Sequence, residues 1–207
     1  MMNTNQNPDP VTDQISHQEC RCWWCGDDEL YQQYHDLEWG VPAHNERDLF
    51  EFLCLEGAQA GLSWITILRK RDNYRRLFDN FDAQKIVRYD EARIASLLLD
   101  AGIIRNKLKV NGFVKNAKAY LNMLDQGITL NNYLWDYVDG ETVQNNWINS
   151  EQVPANNATS DAMAKDLKKR GFTFVGSTIC YAYMQAAGLI NDHTQSCHRH
   201  QMLGGSC

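Results

Sequence analysis

The sequence predicts an all-α fold that contains a helix-hairpin-helix near its C-terminal end. Apolar residues recur at helical spacing through most of the chain, and Gly, Asn, Asp and Ser stand where helices would begin and end. Almost no stretch shows the alternation of a half-buried strand. The 207 residues, 43% of them hydrophobic, are enough for one large domain or two small lobes.

Composition divides the chain into three parts. Residues 1–19 are polar and without periodicity, which predicts a disordered leader. Residues 20–198 show the helical pattern and are predicted to form the folded domain. Residues 199–207 are predicted to form a C-terminal tail, so His198 and His200 are expected to be exposed. No apolar run reaches membrane-spanning length and nothing resembles a signal peptide, so we expect a cytoplasmic protein without a membrane partner.

The first clear helix is predicted to begin at its cap Asn45, with Asp48 placed as in a capping box. One face of this helix presents Leu49, Leu53, Glu56 and Ala60. Glu56 is therefore directed inward, where an unpaired carboxylate would cost several kcal/mol or take up a proton. It needs a partner, which is either a ligand that donates hydrogen bonds or, as a structural alternative, a neighbouring helix terminus.

Further helices are predicted in the second half of the chain. One begins at Asp90 and is closed by Gly102, and a longer one covers about 108–127. Residues 139–158 have the composition of a polar loop. A short helix is then expected to begin at its cap Ser160.

The segment at about 160–188 is predicted to be the helix-hairpin-helix. Its first helix ends at Gly171, a turn leads to Gly176, and the second helix begins near Ser177. Free N–H groups at the start of the second helix would bind a phosphate that approaches the glycines closely. The residues predicted to contact DNA are Gly171, Gly176, Ser177, Thr178, Lys168 and Lys169. An ordinary helical hairpin is the alternative.

The net charge of -6 is distributed unevenly. Residues 61–120 contain 13 basic and 6 acidic side chains, whereas residues 1–60 contain 2 and 12. Local charge sets the field that a polyanion meets, so the middle of the chain is a candidate phosphate-facing surface. A set of solvated helix faces is the alternative.

Cysteine and histidine residues near the two ends of the chain suggest a metal site. Cys22 and His35 lie near the start, and His193 and Cys197 form a His-x3-Cys pair near the end. Two thiols and two imidazoles complete a tetrahedral zinc site. Cys25 is a rival ligand, because Cys22-x2-Cys25 is itself a zinc or redox spacing, and spacing alone leaves the choice between Cys25 and His35 open. The odd total of seven cysteines is typical of a reducing compartment.

Aromatic residues are concentrated in the part of the chain that includes Glu56. They are Trp23, Trp24, Tyr31, Tyr34, Trp39 and Trp64. A pocket that combines flat rings with an inward carboxylate suits a planar, cationic heterocycle, which would stack on the rings and donate hydrogen bonds. The alternative is an aromatic core.

Several long strings together resemble one protein family. They are YHDLEWGVP (34–42), LCLEGAQAGLSWITIL (53–68), FDNFD (78–82), DAGIIRNKLK (100–109) and LKKRGFTFVGSTICYAYMQAAGLINDH (167–193). Over about 20–197 the chain is similar to the 3-methyladenine DNA glycosylase I family. The resemblance implies a helix-hairpin-helix glycosylase fold of two helical lobes, whose termini are joined by one structural zinc ion.

The resemblance also implies an activity. A monomeric enzyme would flip a damaged nucleotide out of alkylated double-stranded DNA and hydrolyse the N-glycosidic bond of 3-methyladenine. The products would be an abasic site and free 3-methyladenine. Two rival classes are a non-catalytic helix-hairpin-helix DNA-binding module, which needs no inward Glu56, and a zinc-stabilised metabolic enzyme, which needs no hairpin.

Individual residues are assigned through the same resemblance. The implied metal ligands are Cys22, His35, His193 and Cys197, which leaves Cys25 outside the site. The implied base pocket consists of Tyr34, Glu56, Trp64, Trp24 and Tyr31, with Glu56 as the carboxylate that recognises the base. No catalytic role is assigned to Asp192, and orientation of the neighbouring His193 is the alternative role for it.

Overall fold

The computed structural model describes residues 20–206, whose regular secondary structure is almost all helical, and the predicted all-α class is confirmed. The α-helices are α1 (Glu29–Leu37), α2 (Glu46–Gln59), α3 (Trp64–Leu68), α4 (Arg71–Leu77), α5 (Ala83–Ile86), α6 (Glu91–Leu99), α7 (Lys107–Asp125), α8 (Leu130–Trp135), α9 (Ala158–Lys169), α10 (Ser177–Ala186) and α11 (His198–Met202). Short 3-10 helices cover Trp23–Cys25, Asp79–Phe81, Asp136–Val138 and Ser150–Gln152. The predicted leader, 1–19, lies outside the described residues.

A two-stranded parallel pair is the only β structure among the described residues. Strand β1 (Val143–Gln144) lies in the loop before α9, and β2 (Ile190–Asn191) follows α10. The sequence gives no alternation over two residues, so this pair was not predicted. Across 20–206, every helix falls short of the length and apolar character needed to cross a membrane.

Local capping explains where the helices begin. The Asn45 side chain accepts hydrogen bonds from the N–H groups of Arg47 and Asp48 at 2.9 and 3.3 Å, and the Asp90 side chain accepts one from Arg93 at 2.8 Å. Each bond satisfies a backbone donor that has no partner within its helix. The predicted starts of α2 and α6 are therefore confirmed.

The predicted cap of α9 is wrong by three residues. Asn157 is the N-cap, and Ser160 is the third residue of the helix. The Asn157 side chain accepts from the Ser160 N–H at 2.8 Å, and the Ser160 hydroxyl accepts from the Asn157 N–H at 2.9 Å. The two residues form a reciprocal capping box in which Asn157 is the cap and Ser160 the residue that bonds back to it.

Helix α2 lies at the centre of the fold and contacts α3, α7, α8 and α10. It runs antiparallel to α7, because the Lys109 ammonium donates to the carbonyls of Ala58 and Ala60 at its end while the Tyr120 hydroxyl donates to Glu46 at its start. Lys109 is buried, and it satisfies helix-terminal carbonyls that would otherwise lack donors. The end of α2 next to Glu56 is thereby fixed.

Helices α9 and α10 form the predicted hairpin of helices, packed against each other. Its turn is held by α7: the buried Asn116 amide accepts from the Thr173 N–H at 2.8 Å and donates to the Thr173 carbonyl at 3.2 Å. Phe174 has a φ of 56° and lies against Gly57 and Gly112, where an added Cβ would approach it to 3.0 and 2.9 Å. The turn is therefore docked against two helices.

Gly188 ends the hairpin where the chain crosses the segment before α2. Its φ is +71°, and an added Cβ would lie 2.4 Å from the Val41 carbonyl carbon. We expect Gly188→Ala to lower the free energy of unfolding by about 2–4 kcal/mol, since backbone strain adds to an overlap with main-chain atoms that cannot rotate away. Denaturant unfolding measures the loss.

Gly127→Ala is the matched control for this prediction. Gly127 has a similar φ of +76°, but an added Cβ there would meet no atom within 4 Å. Only the strain of about 1 kcal/mol is expected. Equal losses in the two variants would show that the crossing at Val41 is not a tight contact.

The predicted tail departs from expectation at His200. Residues His198–Met202 are helical, and His200 is 0% exposed, so the expectation that it is exposed is wrong. Its Nε2 lies 2.9 Å from the Asn145 carbonyl oxygen. Gly205 turns back over the imidazole, and an added Cβ at Gly205 would lie 2.3 Å from the ring.

Candidate functional site

A buried cluster brings together the two ends of the folded domain. The ligand atoms of Cys22, His35, His193 and Cys197 all lie within 4.8 Å of one another. His193 Nδ1 is 3.5 Å from the Cys22 sulfur and 3.4 Å from the Cys197 sulfur, and His35 Nε2 is 3.4 Å from the latter. This group could hold a metal ion, and it would then join residues 171 positions apart.

Cys25 is not part of the cluster, although the sequence allowed it to be. The Cys25 thiol is directed at the Cys22 carbonyl, to which it donates a hydrogen bond at 3.2 Å. Burial raises the pKa of this thiol, which keeps it protonated. The geometry therefore selects His35 over Cys25 as the fourth member of the group.

Hydrogen bonds from outside the cluster set the tautomer of each histidine. His35 Nδ1 lies 2.7 Å from an Asp36 carboxylate oxygen, and His193 Nε2 lies 3.1 Å from the Trp39 carbonyl oxygen. A proton on each of these nitrogens leaves His35 Nε2 and His193 Nδ1 with lone pairs directed at the cluster. Asp36 is itself fixed by the Arg21 guanidinium at 2.7–2.9 Å.

The two thiols of the cluster have opposite pKa shifts. A hydrogen bond donated by the Cys22 thiol outweighs burial and lowers the pKa of Cys197. The same bond to Cys197 and burial raise the pKa of Cys22. The pair thus favours one thiolate even before a cation binds, and a cation would favour the second.

A cavity of about 290 Å³ opens beside the cluster. Its walls include all five residues assigned to a base pocket, Trp24, Tyr31, Tyr34, Glu56 and Trp64. Trp23 and Trp39 also line it, and Trp23 is 52% exposed at its rim. The structure therefore gathers the predicted aromatic residues around one carboxylate.

Other residues of the cavity wall were not predicted as such. They are Gln59, Val153, Pro154, Ala155, Thr178, Tyr181, Ala182 and Gln185. Gln59 follows Glu56 by one turn of α2, so the helical period could have identified it. The others come from a polar loop and from α10, which the sequence does not connect to Glu56.

Glu56 is buried and has no hydrogen-bond partner among residues 20–206, with only 4% of its surface exposed. Burial raises its pKa to about 8. The indole N–H groups of Trp24 and Trp64 are likewise buried without an acceptor in this part of the chain. The cavity wall thus contains an unpaired hydrogen-bond acceptor and two unpaired donors. Such groups are rare in a protein interior unless a ligand forms the missing hydrogen bonds.

Tyr34 is placed between the carboxylate and a ring. Its ring centroid lies 5.4 Å from that of Trp64, and burial, with the nearby Glu56 charge, raises the pKa of its hydroxyl well above the ordinary value. The hydroxyl therefore stays protonated at neutral pH. It can donate to a ligand that carries an acceptor.

Trp39 connects the cavity to the cluster. Its ring lies 4.9 Å from the ring of Trp24 and 4.6 Å from that of His193, in each case edge to face. Its carbonyl accepts the hydrogen bond from the same histidine. The position of this wall therefore depends on the cluster.

Asp192 is buried and accepts four hydrogen bonds. The donors, at 2.7–2.8 Å, belong to Asn145, Trp147, Tyr181 and Gln185. Both nitrogens of His193 face other atoms, so the suggestion that Asp192 orients this ring is wrong. Because Tyr181 and Gln185 line the cavity, Asp192 positions its wall instead.

The start of α10 reaches the rim of the same cavity. Thr178 is exposed and lines it, and Gly176 is the N-cap, where an added Cβ would meet open space. Lys168 and Lys169 are exposed at the end of α9. The predicted hairpin residues therefore lie on an accessible surface that adjoins the cavity.

Comparisons with known proteins agree on one family. Residues 24–200 match the methyladenine glycosylase family. The chain is 48% identical to DNA-3-methyladenine glycosylase 1 of Escherichia coli K12 over 86% of its length and 95% of the relative's. It is similar to a crystal structure of 3-methyladenine DNA glycosylase I, with a TM-score of 0.86, 48% identity and coverage of 87% and 100%. A variant of such an enzyme, solved in complex with 3-methyladenine, gives a TM-score of 0.83 at 30% identity, with coverage of 86% and 96%.

Proposed function

The chain belongs to the methyladenine glycosylase family, and we propose that it excises 3-methyladenine from alkylated double-stranded DNA. The reaction is hydrolysis of the N-glycosidic bond, which leaves an abasic site and starts base-excision repair. The observation that supports this best is Glu56, a buried carboxylate without a partner among residues 20–206, placed in an aromatic cavity. Such a site suits a flat base with hydrogen-bond donors on its edge.

The chemistry of the substrate explains why binding can suffice for catalysis. Methylation at N3 gives the adenine in DNA a positive charge, so the base departs as a neutral leaving group and needs little acid catalysis. We propose that the nucleotide is extruded from the helix into the cavity, which costs a few kcal/mol of unstacking. The faces of Trp24, Tyr31 and Trp64 then favour the cation over neutral adenine.

Glu56 is proposed to complete this selectivity. With a pKa of about 8, the empty site holds a protonated carboxyl at neutral pH. A cationic base brings opposite charge and donor groups into contact with it, both of which favour the carboxylate. Neutral adenine offers less of this stabilisation, so the cost of ionising the buried group discriminates against it.

We propose that the buried cluster holds one zinc ion per chain with a structural role. Zinc–sulfur distances of about 2.3 Å and zinc–nitrogen distances of about 2.0–2.1 Å give a sulfur–nitrogen separation of about 3.6 Å in a tetrahedron. The separations here are 3.4–3.5 Å. Four protein ligands leave no open position, so bound zinc would supply a cross-link between the ends of the domain.

The hairpin is proposed to bind the DNA backbone next to the extruded nucleotide. The N–H groups at Gly176, Ser177 and Thr178 begin a ten-residue helix and are suited to a phosphate. Lys168 and Lys169 add positive charge at the end of the preceding helix. Because Thr178 lines the cavity, a phosphate bound there would hold the damaged strand at its opening.

One experiment distinguishes this function from its rivals. The protein is incubated with duplex DNA treated with a methylating agent, and the released bases are separated and identified. Release of 3-methyladenine supports the proposal. DNA binding without release would favour a non-catalytic binding module, and the absence of both would favour an enzyme that acts on a small heterocycle.

Asp192→Asn is expected to weaken base binding without abolishing bond cleavage. An amide offers one acceptor oxygen in place of two and directs its own N–H groups at donors, so Tyr181 and Gln185 lose their anchor. We expect a 10-fold to 100-fold loss of affinity for 3-methyladenine, of the order of 1.5–3 kcal/mol for hydrogen bonds to a charged group. Single-turnover excision at saturating enzyme should change only a few-fold. A loss of several orders of magnitude at full metal content would instead make Asp192 a catalytic base.

A further inference from the structure

Most of the basic side chains in the middle of the chain are paired with oxygen atoms of the protein. Residues 61–120 contain 13 basic side chains; seven of them donate hydrogen bonds to protein oxygens, and Lys85 forms an ion pair with Asp79 at 3.9 Å. Five have no partner among residues 20–206, and all five are exposed. They are Arg88, Arg105, Lys107, Lys115 and Lys118. The excess charge of this segment is therefore confined to a few sites.

Three of these side chains form a stripe on α7, defined here as the α7 lysine stripe: Lys107, Lys115 and Lys118. Positions 8 and 11 residues after Lys107 lie about 80° and about 20° around a helix with 3.6 residues per turn, so the three side chains share one side of α7. The stripe is about 16 Å long at 1.5 Å per residue. Between Asp100 and Asp125 the sequence contains no carboxylate, so nothing in this stretch offsets the stripe.

The stripe lies beside the turn of the helical hairpin. Three residues on the adjacent face of α7 touch that turn: Gly112 faces Phe174, Asn116 bonds to Thr173, and an added Cβ at Gly171 would contact Ala119. Lys115 follows Gly112 by three residues and Lys118 precedes Ala119. The stripe and the hairpin therefore belong to one continuous surface.

The stripe begins level with the end of α2 that borders the cavity. Lys109 follows Lys107 by two residues, about half a turn around α7, and its buried ammonium donates to the carbonyls on either side of Gln59, which lines the cavity. The first lysine of the stripe therefore lies at the same height along α7 as the end of the helix that presents Glu56. A polyanion seated at the cavity mouth and the hairpin would have the stripe next to it.

We propose that the α7 lysine stripe is a second phosphate-binding strip, which holds the DNA backbone beside the hairpin turn. This inference rests on the proposed function, because it takes double-stranded DNA as the occupant. Exposed, unpaired ammonium groups are suited to phosphates as point charges, without base specificity. The strip adds affinity for damaged and undamaged duplex alike, so it supports retention on DNA rather than recognition of the base.

The test is the salt dependence of DNA binding. Wild type and K107Q/K115Q/K118Q are titrated with a duplex that contains a stable abasic-site analogue, between 50 and 200 mM KCl. Each lost phosphate contact lowers the slope of log K against log salt by about 0.9. We expect a slope smaller by about 2 to 3 and an affinity about 10²- to 10³-fold weaker at 0.1 M salt.

R47Q/K85Q/R88Q is the matched control. It removes the same number of charges from exposed sites. Arg47 lies at the start of α2, about 20 Å along that helix from the end that borders the cavity, and Lys85 and Arg88 lie on and just after α5. Its slope of log K against log salt should equal that of wild type within about 0.5, which corresponds to about half a phosphate contact. An unchanged slope in the stripe variant, or equal changes in both variants, would overturn the proposal and leave a solvated helix face.

Two further measurements separate this inference from the proposed function. Affinity for free 3-methyladenine should be the same in the stripe variant as in wild type, because the base carries no phosphate. If wild type released no 3-methyladenine from DNA yet the slopes differed, the strip would stand and the proposed activity would fail. If wild type were active and the slopes did not differ, only the strip would fail.

Discussion

Glu56→Gln is expected to weaken the binding of 3-methyladenine by about 10- to 100-fold. The amide keeps one acceptor oxygen but cannot carry a negative charge, and hydrogen bonds to charged groups contribute about 1.5–3 kcal/mol. The effect should be larger on excision from DNA, where the base is cationic before the bond breaks. Calorimetric titration with the free base and single-turnover excision measure the two quantities.

The same substitution should stabilise the empty protein. The unfolded carboxyl releases its proton near the ordinary pKa of 4.5, whereas the folded one keeps it to about pH 8. Between these values the folded state binds more protons, so the free energy of unfolding falls as the pH rises. Glu56→Gln removes this dependence, and at pH 7 it should be the more stable protein by roughly 3 kcal/mol.

Glu51→Gln is the matched control for both effects. Glu51 is a second buried carboxylate on α2, but it is paired with the Arg75 guanidinium at 2.8–3.0 Å. Its replacement should destabilise the protein and leave base affinity unchanged. If Glu56→Gln bound 3-methyladenine as tightly as wild type, Glu56 would have no part in recognition.

The contrast between these two carboxylates indicates a site in which stability is given up for function. Wherever else α2 buries an acidic side chain, the protein provides a partner; at Glu56 it provides none among the described residues. A ligand that supplies donors would relieve the cost. Base binding should therefore raise the thermal midpoint of wild type more than that of Glu56→Gln.

The parts of the fold that could be predicted from the sequence depend on short-range chemistry. Asn45 and Asp90 cap helices because each side chain reaches backbone groups two or three residues away. The inward position of Glu56 follows from helical periodicity alone. The cluster of cysteines and histidines was predictable in part for a different reason: few residue types bind metals, so Cys and His residues near the two ends of the chain could be expected to meet in one site.

The parts that could not be predicted depend on contacts between distant segments. Asp192 binds Asn145 and Trp147 from a loop that looks featureless in sequence, and in doing so it shapes the cavity wall through Tyr181 and Gln185. His200 is buried because the chain folds back over it at Gly205, and no periodic pattern in the sequence predicts this turn. Spacing could not decide whether His35 or Cys25 is the fourth member of the cluster, because the choice depends on which hydrogen-bond acceptor the Cys25 thiol contacts in the fold.

Cys22→Ser is expected to abolish metal binding and to destabilise the protein strongly. Zinc content should fall from about one atom per chain to near zero, because a hydroxyl is a poor replacement for a thiolate. A cross-link from Cys22 to Cys197 closes a loop of well over 100 residues, for which the chain-entropy estimate is about 5 kcal/mol. Metal analysis and denaturant unfolding measure the two losses, and His193→Ala should give both as well.

Cys25→Ser should retain the metal, because its thiol is bonded to the Cys22 carbonyl and lies outside the cluster. Metal loss from this variant would mean that the thiols exchange roles in solution.

Loss of the ion should also disturb the base pocket, because Trp39 packs on His193, accepts its hydrogen bond and lines the cavity. Chelation of wild type should therefore weaken 3-methyladenine binding at temperatures where the protein is still folded. If affinity persisted after the zinc was removed, the cross-link would serve stability alone and the pocket would be held by α1, α2 and α10.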